Sequence, residues 1–153
     1  MLTTKVRYAV MAMVDIALLQ KERDSKPVKL AEIAERQAIP LNYLEQIFSA
    51  LKQAGLVSAV KGPGGGYIIE NEDLTMADIV DAVDESVEMT RCSAEETKGG
   101  CLPDSTKCVT HDIWEGLTKQ IRNYLAAIKL SEICKKADSK RKLAEFFAQP
   151  CKG

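Results

Sequence analysis

Apolar residues fall at two different periods along this chain, and the changes of period mark its elements. After Thr3 and Thr4, either of which can cap a helix, Val6, Val10, Met13, Val14 and Ala17 recur at helical spacing and predict a first helix with one apolar stripe. Asp24 to Pro27 reads as a turn. Lys29 to Arg36 predicts a short helix with Leu30, Ile33 and Ala34 inward, and Gln37 to Ile39 a tight connection. Pro40 pre-sets the first turn of another helix, in which Leu44, Ile47, Phe48 and Leu51 form the buried stripe and Gly55 the stop. Asn42, Tyr43, Glu45, Gln46, Ser49 and Lys52 are left on its outer face.

Leu56 to Val60 and Tyr67 to Ile69 are β-prone, and Lys61-Gly-Pro-Gly-Gly-Gly66 joins them as a hairpin with a glycine-rich tip. Thr75 and Asp78 have the spacing of a capping box and open a short helix with Met76, Ile79, Val80 and Val83 inward. From about Asp112 to Leu130, Trp114, Leu117, Ile121, Tyr124 and Ile128 step by three and four, the seam of a helix that packs lengthwise on a partner. Such a stripe with little other core nearby suggests a homodimer; packing on its own domain is the alternative. After Ile133 the chain turns basic and loses periodicity until Leu143 to Phe147, as a mobile tail would.

Two helices joined by a short turn, the second with polar groups at its N-terminal end, make a helix-turn-helix; plain packing units share that pattern. A hairpin directly after such a helix is a wing, unless it is an ordinary flexible turn. No Gly-Lys-Ser or Gly-Lys-Thr follows the glycines, so an ATP-cradling loop is not indicated. The expected fold is therefore mainly α with a small β-hairpin wing. Its organisation is a winged helix-turn-helix domain over 1–85, a ligand loop over 86–111, a dimerisation helix over 112–133 and a basic tail over 134–153.

Composition narrows the class. The 153 residues carry a net charge of −1 and 46% hydrophobic content, enough for a core, and the sequence has no run of eighteen apolar residues and no leader pattern. A cytoplasmic protein without membrane contact is expected. Residues 1–67 carry nine Lys and Arg against six acids, residues 68–111 three against eleven, and residues 112–153 nine against five. A basic beginning suits an anion-binding module, although solvated surfaces account for the same numbers. Lys5, Lys52 and Lys61 are the candidate phosphate ligands, and Gly64 and Gly65 let the wing backbone approach a duplex closely.

Arg91 to His111 carries the candidate chemistry. It holds three of the five cysteines and the single histidine: Cys92, Cys101, Cys108 and His111, separated by eight, six and two residues. Thiolate and imidazole select zinc, copper or iron–sulfur chemistry over calcium or magnesium. The intervening residues offer almost nothing to bury, so a cofactor is the simplest reason for such a loop. Zinc sites bring ligands in close pairs, which Cys108 and His111 alone satisfy. A metal-free thiol switch is a further reading, although the nearby Glu95, Glu96 and Asp104 do not lower a thiol pKa. A lone histidine is ordinarily a surface or capping residue. Cys134 and Cys151 read as spectators. There is no Ser-His-Asp set and no identifiable carboxylate pair, so an enzyme is not expected.

The segments LNYLEQIFSALKQAGLV, GPGGGY and AVDESVEMTRC together resemble the Rrf2 family of winged helix-turn-helix transcription regulators, over roughly residues 1–133. The resemblance implies a homodimeric repressor or activator of iron–sulfur cluster assembly genes. Such a regulator binds double-stranded operator DNA and a [2Fe-2S] cluster, received from the assembly machinery. It maps the cluster ligands onto Cys92, Cys101, Cys108 and His111, with longer gaps than the family's usual five residues, while Gly99-Gly100-Cys101 and Cys108-x-x-His111 match. It also implies that Asn42, Tyr43, Glu45 and Gln46 read bases, with Lys61 where an arginine is usual. A carboxylate at position 45 accepts from cytosine N4 but repels phosphate, so cluster binding that repositions the recognition helix would let Glu45 be tolerated at a second class of operator.

Overall fold

The computed structural model describes residues 3–71, 73–83, 100–104 and 106–148, with the backbone alone over 141–148. Thr3 caps the first helix, α1 (Thr4–Glu22), its hydroxyl accepting from the Lys5 N–H at 3.2 Å. The deepest face of α1 is Val6, Ala9, Ala12, Met13, Ile16 and Leu19, while Val10, Val14 and Ala17 of the expected stripe are half-buried. α1 is apolar nearly all round, so periodicity fixed its existence better than its orientation. Asp15 is buried in that helix with both carboxylate oxygens on the Arg36 guanidinium, at 2.8 and 2.9 Å. This fork ties α1 to α2 (Leu30–Gln37).

Ala38 ends α2 in the left-handed region, φ 52° and ψ 44°, and Pro40 caps α3 (Leu41–Gln53). Leu44, Ile47, Phe48 and Leu51 of α3 are completely buried, as their spacing predicts. Gly55, at φ 75°, closes α3: its N–H reaches the Lys52 carbonyl and the Leu56 N–H the Leu51 carbonyl, both at 3.0 Å. Strands β1 (Ser58–Val60) and β2 (Gly66–Ile68) then pair antiparallel with Ala59 opposite Tyr67. On its other edge β2 bonds Val28 through Tyr67 in both directions, at 2.9 and 2.8 Å. The Gln20 amide straps Ile69 at both backbone groups, at 2.8 and 3.4 Å. The wing is thus anchored to α1, to Val28 and, through Phe48 against Tyr67 at 5.1 Å, to α3.

Thr75 and Asp78 form the predicted capping box of α4 (Met76–Ala82), which buries Met76, Ile79 and Val80. α5 (His111–Ala127) packs on α4, and α6 (Leu130–Ala148) returns to α1. Two expectations are corrected here. The helix read over 112–133 ends at Ala127, and the span read as an aperiodic tail is helical through Ala148. The break comes from tertiary pairing: Ile128 is extended and its carbonyl accepts from the Met76 N–H at 2.9 Å, while the Leu130 N–H donates to Leu74 at 2.7 Å. Leu130 and Cys134 of α6 enter the core. Among the described residues no helix is long and apolar enough to cross a membrane.

Candidate functional site

The described part of the ligand loop is shaped by its own polar side chains. Thr106 donates to the Asp104 carboxylate from both its hydroxyl, at 2.7 Å, and its N–H, at 3.1 Å. The hydroxyl foremost, then the N–H, holds that carboxyl below its ordinary pKa. The Leu102 N–H closes the turn onto the Thr106 carbonyl at 3.1 Å. Cys101 stands half-buried before this turn.

On the other side, the His111 N–H donates to the Cys108 carbonyl at 3.0 Å, so Cys-x-x-His is one turn leading into α5. His111 is buried at the helix start, and its Nδ1 lies 3.0 Å from Cys101 Sγ. The structure therefore brings together Cys101 and His111, ten residues apart, with Cys108 one turn away beside the Thr110 hydroxyl at 3.5 Å. Cys92 lies outside the described residues. Thiol and imidazole converging at the start of α5 are the donor types that hold a soft metal or an iron–sulfur cluster. A second grouping, His111 with Asp112 and Glu115, has donor atoms within 4.8 Å of one another, but its carboxylates are exposed.

The nucleic-acid candidates sort less evenly. Asn42, Glu45, Gln46 and Lys52 are exposed on α3, and Lys61 and Gly64 are exposed on the wing. Tyr43 is half-buried, its ring edge-on to Tyr8 at 5.8 Å and 82°. Gly65 is buried and shapes the tip: its N–H donates to Gly62 at 2.9 Å, and a Cβ there would lie 2.2 Å from the Val60 carbonyl oxygen. Lys5 donates its ammonium to the Val83 carbonyl at 2.7 Å, at the end of α4. Between α3 and the wing runs a groove of about 360 Å³, whose lining includes Lys29 and Glu45. The sequence reading did not single out Lys29, which lines this groove. The signal was there, since a lysine stands where α2 wants a side-chain cap and makes no cap bond.

The face of α5 read as a dimer seam is divided: Ile121 and Ile128 pack against the core, while other positions stay open to solvent. Leu117 is 39% exposed and Tyr124 68%, with Ile113 beside them at 64%. Trp114, Ile121 and Ile128 are half-buried.

Residues 2–136 match the family model Rrf2, described as an iron-dependent transcriptional regulator. The chain is 48% identical over 136 residues to the HTH-type transcriptional regulator IscR of Xenorhabdus nematophila, covering 88% of this chain and 79% of that one. It is 47% identical over 134 residues to the IscR of Escherichia coli O1:K1 / APEC, covering 86% and 78%. Among solved structures, T. potens IscR superposes with a TM-score of 0.71 at 33% identity, covering all of this chain and 93% of the other. CymR, the global cysteine regulator of B. subtilis, superposes with a TM-score of 0.72 at 25% identity, over 89% and 97%.

Proposed function

The chain belongs to the Rrf2 family of transcriptional regulators, and from that premise we propose that it senses a [2Fe-2S] cluster and binds operator DNA as a homodimer. The carrying observation is the convergence of Cys101 Sγ and His111 Nδ1 to 3.0 Å at the start of α5, a helix packed on the DNA-binding domain. Cys92 and Cys108 complete the ligand set in this reading. Three thiolates and one neutral imidazole leave the site less negative than four thiolates, and a bound cluster supplies one-electron redox chemistry at a correspondingly raised potential. Such a site suits a sensor that reports cluster supply from the assembly machinery in the cytoplasm.

On the DNA side, Asn42, Tyr43, Glu45 and Gln46 enter the major groove at the N-terminal end of α3, as recognition helices do. Lys52, Lys61 and Lys29 meet phosphates, and Gly64 brings the wing tip to the duplex. The exposed apolar face of α5 is the dimer seam. Occupancy of the cluster site changes operator choice, with Glu45 tolerated only at one class of site.

Anaerobic purification tests this. The expected protein is coloured and holds about two irons and two sulfides per chain. Cys101→Ala bleaches it, and the two forms differ in operator preference by titration. Stoichiometric zinc without sulfide would replace the cluster by a structural metal, and protein free of any metal would leave a thiol switch.

A further inference from the structure

His111 is the one histidine of the chain, its side chain is 9% exposed, and its two ring nitrogens face different partners. Nδ1 lies 3.0 Å from Cys101 Sγ. Nε2 lies 3.6 Å from the Glu115 carboxylate, one helical turn along α5. A neutral imidazole carries one N–H and one lone pair, and the partner of one nitrogen decides which form the other takes. A carboxylate only accepts, so a proton on Nε2 is attracted to it while a lone pair there is repelled. The remaining lone pair then sits on Nδ1, on the side of Cys101.

We infer that Glu115 is a positioning residue for His111: it holds the ring in the Nε2–H tautomer and makes Nδ1 the nitrogen offered to a metal. The separation of 3.6 Å is just beyond hydrogen-bond length, and Glu115 is 60% exposed, so a small side-chain rotation closes the contact. Asp112 also lies within 4.8 Å of this pair, one residue from His111, and serves as the control carboxylate. Carboxylates in this position behind a metal-bound histidine fix its ring and raise its basicity, and their loss weakens metal retention by about 10- to 100-fold. Solvent exposure of Glu115 sets the expectation at about 10-fold, the lower end of that range. The metal half of the inference rests on the proposed cluster reading; the tautomer half does not.

A single histidine makes the test direct. The reduced, metal-free protein is labelled with ¹⁵N in its imidazole and observed at a pH beyond which its ¹⁵N shifts no longer change, so that only the tautomers of the neutral ring are read. One pair of signals reports the tautomer of His111 alone. A Cys101 thiol donating to Nδ1 would favour the same tautomer, so the measurement is repeated in a Cys101→Ala background. There the Nε2–H form is expected to dominate, Glu115→Ala to shift population several-fold toward Nδ1–H, and Asp112→Ala to leave it unchanged. With Cys101 restored and the protein reconstituted anaerobically, Glu115→Ala is expected to lose cluster absorbance to a chelator about 10-fold faster than Asp112→Ala. A tautomer ratio indifferent to Glu115 overturns the inference and leaves the cluster reading intact. Failure of the unaltered protein to take up iron and sulfide overturns the cluster reading and the metal half of the inference with it.

Discussion

Lys5→Met separates two roles for the same ammonium group. The basic start of the chain makes Lys5 a candidate phosphate ligand, whereas the structure gives it the Val83 carbonyl at 2.7 Å, at the C-terminal end of α4. Methionine keeps most of the aliphatic stem and removes the charge. A hydrogen bond from a charged donor contributes about 1.5–3 kcal/mol, and a cation at a helix C-terminus about 0.3–1 kcal/mol. Lys5 is half-buried, so water replaces part of both, and the expected loss is about 1 kcal/mol. That corresponds to a fall in Tm of about 2–4 °C for a chain of this length. The companion assay titrates duplex DNA across a salt series. Each phosphate contact contributes about 0.9 to the slope, so a dimer losing two contacts would show a slope shallower by about 1.8. A cap on α4 predicts lowered stability and an unchanged slope. A slope reduced by about 1.8 with unchanged stability would refute the reasoning.

At the wing, an added Cβ at Gly66 lies 2.4 Å from the Val28 carbonyl oxygen, where the backbone pair has no room to give, while one at Gly64 meets open space. Gly66→Ala should cost about 1–3 kcal/mol and Gly64→Ala less than about 0.5 in thermal denaturation; equal costs would contradict the packing argument. Ala38 holds a left-handed conformation that costs an L side chain about 1–2 kcal/mol, whereas glycine gives back about 0.4–1 through its looser unfolded chain. Ala38→Gly is therefore expected to raise stability by up to about 1 kcal/mol, and a lower denaturation midpoint would count against it. Lys129, bonded to Asp73 at 2.8 Å, holds that carboxyl below its ordinary pKa, and Arg23 does the same for Glu32. A depressed folded pKa means stability that is present above the ordinary carboxylate pKa of about 4 and lost as pH falls through the folded value. Replacing Lys129 and Arg23 together by Met should flatten the stability profile below about pH 4, and an unaltered acid limb would exclude these pairs as its source.

Legibility followed amphipathicity. α3 shows one apolar stripe against a polar face, so Leu44, Ile47, Phe48 and Leu51 could be read directly and are completely buried. The capping box of Thr75 and Asp78 was equally local, and both of its bonds are present. α1 was legible as a helix but not in orientation, because Ala9, Ala12, Ile16 and Leu19 compete with Val10, Val14 and Ala17 for the core. The break between α5 and α6 left no local mark: neither proline nor glycine stands at Ile128 or Lys129, and the bonds to Leu74 and Met76 that make it come from more than fifty residues away. The approach of Cys101 to His111 was implied by residue type and family resemblance, but Glu115 behind the ring was invisible until α5 placed it one turn on.

The distribution of burial limits how an event at His111 can reach DNA. α1, α3 and α4 share one core, and Lys5 and Tyr8, nearly one turn apart on α1, hold Val83 on one side and the Tyr43 ring on the other. Tyr67 against Phe48 joins the wing to the same body. A recognition helix with four fully buried anchors does not shift within such a core, because packed interiors do not deform continuously. α5 is different: among its described residues only His111 and Thr118 are buried, and Arg122 reaches Asp81 of α4 at 3.6 Å between exposed side chains. Any adjustment on ligation would therefore fall between α5 and the reader rather than inside the reader. In the proposed dimer, ligation of His111 at the first residue of α5 would act on the angle between two rigid readers, and so on the separation of the half-sites they fit. In that proposal operator choice would be a matter of spacing before it was a matter of base contacts, with Glu45 excluding sites that the altered spacing would otherwise admit.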